Sequence, residues 1–135
     1  MYQQMIFVNL PVADLDASKK FFTDLGYSLN AQFSDDNAAS VVISDTIVAM
    51  LLTKPFYSTF TDKEIADATK TSEVLLCLSA ESREKVDELV EKAVAAGGTA
   101  SERVQDMGFM YGRGFEDIDG HGWEVVWMDP AAVEG

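Results

Sequence analysis

One order of elements occurs twice in this chain, and that repeat constrains the fold more than any single motif. In the first half, Met5 to Val12 is rich in branched and aromatic residues and reads as a strand, with Pro11 restricting it to an edge or an end. Asp14 or Asp16 can cap a following helix. Leu15, Ser18, Phe22 and Leu25 recur there at helical spacing, Phe21 widens the stripe, and Gly26 closes it. Residues 27–33, 38–43 and 47–52 follow as short strands, broken by Ser34-Asp35-Asp36-Asn37 and Ser44-Asp45-Thr46. The order then restarts with a strand over 73–78. A helix over 82–96 carries Val86, Leu89, Val90, Ala93 and Val94 on one face and ends at Gly97-Gly98. Strands are expected over 99–104, 109–115 and 123–128. A repeat of this size fixes architecture before any motif does.

The expected fold is α+β, one domain of two paired βαβββ modules over residues 1–54 and 72–135. One helix can cover only one face of each sheet, so pairing would enclose a cavity between curved sheets. The connector, 55–71, opens with the aromatic run Phe56-Tyr57-Ser58-Thr59-Phe60. It should hold a short helix capped by Thr61 or Asp62. So aromatic a loop suits a lid or a dimer contact.

Charge narrows the partners. With 23 acidic against 10 basic side chains, the net charge of −13 opposes nucleic acid and anionic membranes, which need a basic surface. No apolar run approaches a membrane span, and no basic-then-apolar leader opens the chain. A single cysteine, Cys77, permits no internal disulfide and fits a reducing, cytoplasmic setting. Inside an apolar strand it reads as a small buried hydrophobe. The single histidine, His121, sits in the turn Asp119-Gly120-His121-Gly122, where bonding to local backbone is its expected role. One imidazole cannot build a two-His-one-carboxylate iron site or a Ser-His-Asp triad there. Any divalent ion would depend mainly on carboxylates.

Two stretches carry a family resemblance. Asn9-Leu10-Pro11-Val12-Ala13-Asp14-Leu15-Asp16-Ala17-Ser18, followed by Phe21-Phe22 and Leu25-Gly26, resembles the opening signature of the vicinal oxygen chelate superfamily. That group includes glyoxalase I, bleomycin-resistance proteins and extradiol dioxygenases. Phe115-Glu116-Asp117-Ile118-Asp119-Gly120-His121-Gly122-Trp123-Glu124 resembles its closing motif, with Ile118 where the family has proline. The resemblance implies a metal held by four inward-facing strand residues, which fall here on Phe7, near Leu51, on Glu73 and on Glu124. Two of these are hydrocarbon and donate no lone pair. Two carboxylates alone hold a divalent ion weakly unless substrate or water completes the shell.

Other residues complete the candidate site. Glu73 and Glu124 stand in apolar strand runs. They face a cavity, face solvent, or pair with a base. Close together in a dry cavity, one would carry a raised pKa and serve as acid or base. Arg113, between Gly112 and Gly114, either clamps a substrate carboxylate or bridges to Glu124, Asp106 or Asp117. Phe7, Asn9, Met50, Met110 and Tyr111 are candidate ligand contacts, although such side chains are commonly core. The leading functional expectation is a module that binds a small organic molecule with no cofactor. A divalent-metal lyase or isomerase resembling glyoxalase I, with Glu73 and Glu124 as ligands and Glu124 as the catalytic base, is the alternative. The resemblance also implies a homodimer.

Overall fold

The computed structural model describes residues 2–133, which form two compact units divided between Ala66 and Asp67. The first begins with β1 (Ile6–Val12) and α1 (Leu15–Asp24). Asp14 caps α1 by accepting from the Ala17 N–H at 3.1 Å, and Gly26, at φ +107°, turns the chain back. β2 (Ser28–Asn30), β3 (Ala38–Val42) and β4 (Ile47–Thr53) follow. β2 is shorter than expected because the Asn30 side chain accepts from the Gln32 N–H and starts a 3-10 turn over Ala31–Phe33. The sheet order is β1-β4-β3-β2, with β1 parallel to β4 and the other pairs antiparallel.

The connector helix is not where the sequence placed it. α2 spans Lys54–Tyr57, with Pro55 in its first turn where a missing N–H costs nothing. Thr61 does accept a bond from the Lys63 N–H, but only as a local turn with no helix behind it.

The second unit repeats the plan with β5 (Leu75–Ser79), α3 (Arg83–Ala95), β6 (Thr99–Asp106), β7 (Met110–Glu116) and β8 (Gly122–Met128), then a short α4 (Pro130–Val133). Its order, β5-β8-β7-β6, reproduces that of the first sheet, again with one parallel pair. Ser82 caps α3 by accepting from the Lys85 N–H at 3.1 Å. Val86, Val90 and Ala93 are fully buried, while Val94 points to solvent.

Each sheet packs one face against its helix. In the first unit Phe21 and Phe22 meet edge to face at 5.0 Å, and Leu10, Val12 and Leu51 are buried. In the second, the Phe115 and Trp123 rings stack at 6.3 Å near buried Val125. Each such side chain contributes about 1.5–3 kcal/mol by leaving water. The architecture is α+β, with two four-stranded mixed sheets and no closed barrel. No helix among the described residues is long and apolar enough to cross a membrane.

Candidate functional site

Strand alternation in the second sheet sends Tyr111, Arg113 and Phe115 toward α3. It leaves Gly112, Gly114 and Glu116 on the open face. That face bears a hollow of about 430 Å³. Leu75 on β5, Glu124 and Val126 on β8, and Arg103 and Gln105 on β6 stand around it. Its floor is main chain. A Cβ on Gly112 would come within 3.3 Å of Val126 Cγ2, and one on Gly114 within 3.2 Å of the Trp123 carbonyl oxygen. Both glycines are buried, and their missing side chains let Val126, Ser101 and the Trp123 backbone approach closely from the flanking strands.

The rim is the segment from Ala68 to Ser72. Asp67 folds it by accepting from the Thr69 N–H at 3.0 Å and the Thr69 hydroxyl at 2.6 Å. The rim sits directly on Gly120. A Cβ there would lie 2.9 Å from both the Ala68 oxygen and the Thr69 nitrogen, and φ is +91°. Gly120 is held in turn by Asp117. This buried carboxylate accepts from the Asp119 and His121 N–H groups at 3.0 Å each, from Trp123 Nε1 at 3.0 Å, and pairs with His121 Nδ1 at 3.0 Å. Burial works against the His121 charge, but the hydrogen bond and charge of Asp117, with Asp119, outweigh it and raise its pKa. His121 thus bonds a side chain as well as backbone, a partner that the turn sequence did not reveal.

Glu124 is exposed within the hollow, beside Cys77, its register partner on β5. Cys77 is therefore not a buried hydrophobe. It lies on the open face, where desolvation and then the Glu124 charge push its thiol pKa up, disfavouring the reactive thiolate. Glu73 does not join Glu124. It is exposed in the loop before β5, and Leu75 is the β5 residue that borders the hollow.

Arg113 meets none of its expected partners. Its Nη1 donates to Asp87 Oδ1 on α3 at 2.9 Å, and the Tyr111 hydroxyl donates to the same oxygen at 2.7 Å. These bonds, that from Tyr111 foremost, lower the Asp87 pKa. Next to them Arg83 grips Asp106 with both Nη atoms at 3.0 and 2.8 Å and lies over the Tyr111 and Trp127 rings, 5.1 and 5.3 Å from their centroids. Its hydrogen bond, with the Gly108 N–H, holds Asp106 down at about 2. Tyr111 and Arg113 thus fasten α3 to the sheet. Met110 opens β7 outside the hollow's lining.

In the first unit Phe7 and Asn9 are exposed on the open face of β1, and Asn9 is in register with half-buried Met50. Leu51 faces the other way, fully buried with Leu10 on the helix side. The open-face strand residues at or next to the expected ligand positions are therefore Phe7 and Met50 in the first unit and Leu75 and Glu124 in the second. The first pair offers a thioether and the second a single carboxylate, so neither unit by itself supplies the oxygen donors that a hard cation takes. Among the described residues, Asp117, Asp119 and His121 alone group ligand atoms within 4.8 Å. Asp117 is already saturated by its N–H donors, so this cluster is a turn clasp.

The first third of the chain, residues 4–44, matches the family model described as bleomycin resistance protein-like N-terminal. No curated protein matches. Among solved structures, a hypothetical protein from S. aureus is 29% identical with a TM-score of 0.77, covering 94% of this chain and 95% of that one. A glyoxalase/bleomycin resistance protein/dioxygenase family enzyme from Burkholderia phytofirmans PsJN has a TM-score of 0.78 at 17% identity, covering 93% and 99%. A glyoxalase-related enzyme from Fulvimarina pelagi has a TM-score of 0.78 at 20% identity, covering 93% and 88%.

Proposed function

We propose that this chain, whose fold and opening residues are those of the vicinal oxygen chelate superfamily, binds a small organic molecule in the hollow of its second sheet, without a protein-held metal. The observation that carries this reading is the hollow of about 430 Å³ on the second sheet, with the exposed Glu124 in its wall. The volume lies in the range of small-molecule pockets. Glu124 is one charged group that meets the guest. Phe7, Asn9 and Met50 offer a further surface on the first unit. A homodimer in a reducing compartment belongs to the same proposal, since each sheet ends in unpaired edge strands.

The experiment is a protein-observed NMR screen of small amines, acids and neutral aromatics in the presence of EDTA. Shifts clustering on amides of β5, β7 and β8 around the hollow support the proposal. Shifts that appear only after a divalent ion is added, or no clustering with any fragment, overturn it.

A further inference from the structure

We infer that the guest is an amino-carboxylate, a molecule with a cationic and an anionic end separated by a flat apolar body. This rests on the proposed binding role of the hollow. Glu124 on β8 and Arg103 on β6 stand on opposite sides of β7. Two strand spacings put their backbones about 10 Å apart. Between them β7 contributes only Gly112 and Gly114, so the side chains over this part of the sheet are those of the flanking strands, Ser101 and Val126 among them.

Both charged groups are uncommitted. Among the described residues, the Arg103 guanidinium and the Glu124 carboxylate take part in no ion pair or side-chain hydrogen bond. The other arginine of this sheet, Arg113, and Arg83 of α3 are both engaged by aspartates. Two further charges border the hollow. Glu116 lies on the same face, diagonal to Glu124 across the β7–β8 pair, and adds to the cation-seeking side. Lys70 comes from the rim. Leu75 and Val126 supply apolar walls near Glu124. A purely cationic guest would leave Arg103 facing it unpaired, and a purely anionic guest would do the same to Glu124. A guest with both charges satisfies both, and its guanidinium contact can be a two-bond fork.

The test uses an isosteric series titrated into the whole chain in EDTA: 4-(aminomethyl)benzoate, benzylamine and 4-methylbenzoate. The zwitterion is expected to bind about tenfold tighter than either singly charged analogue. R103Q should lower its affinity to that of benzylamine while leaving benzylamine unchanged. E124Q should lower it to that of 4-methylbenzoate. Both side chains are exposed, and a melting curve on each variant confirms that it folds. Equal binding of the three probes, or loss of benzylamine binding in R103Q, overturns the inference but leaves a guest site standing. Failure of all three probes to bind also overturns it, and the fragment screen then judges the hollow separately.

Discussion

Asp117 shows how much of this site depends on a single buried carboxylate. It accepts from two backbone amides, the Trp123 indole and the His121 ring, so each of its oxygens is occupied. Because the folded pKa of His121 is raised, the charged pair stabilises the fold fully below the ordinary histidine value of 6.5. That contribution is lost as pH rises through the higher folded value. Urea denaturation of the wild type should therefore show stability falling on the alkaline side of 6.5, and His121→Asn should remove that slope. Asp117→Asn should cost about 2 to 3 kcal/mol, since it turns an amide donor toward N–H donors in a buried place. Unchanged urea midpoints for D117N would contradict this view of the turn. Little of it could be read from sequence. The motif marked a turn, but Asp117 was considered only as a partner for Arg113. The actual partner of Arg113, Asp87, lies on α3, and only the packing of that helix brings the two together.

At the scale of elements, the strands, both principal helices and the cap of the first were legible because hydrophobic period, Asp14 and the glycines all agree locally, whereas Ser82, read as the first residue of its helix, caps it instead. Strand ends were less so. Glu73 was read as a strand residue, but β5 starts at Leu75, which removes a carboxylate from the hollow. Leu51 was read as facing the site, whereas register with Leu10 places it under the helix. In β6 the register shifts between Ala100 and Val104, a break that no local signal announced. The rim shows one element depending on another, because Gly120 permits the Ala68–Thr69 backbone to close onto the turn. Gly120→Ala should destabilise the second unit by about 2 kcal/mol, through the strained φ and the displaced rim. Hydrogen exchange at the Lys70 and Thr71 amides should accelerate, since both donate to Asp67 within that rim. Unaltered exchange there would show that the rim does not rest on Gly120.

For the whole chain, the doubled order of elements was enough to give two four-stranded sheets of identical strand order, which physical pairing rules then realise. The chemistry did not follow from the fold in the same way. The sequence resemblance led to the expectation of a chelating centre, yet the second sheet brings only one of the two expected carboxylates, Glu124, to its hollow. The net charge of −13 would draw cations weakly to the surface without building a site. The most direct test of a guest site without a metal centre is elemental analysis of the chain purified without chelator, beside its Glu124→Gln variant. The account predicts far less than one equivalent of zinc, nickel, manganese, cobalt or iron in both. One equivalent of any of these in the wild type, lost in the variant, would contradict it.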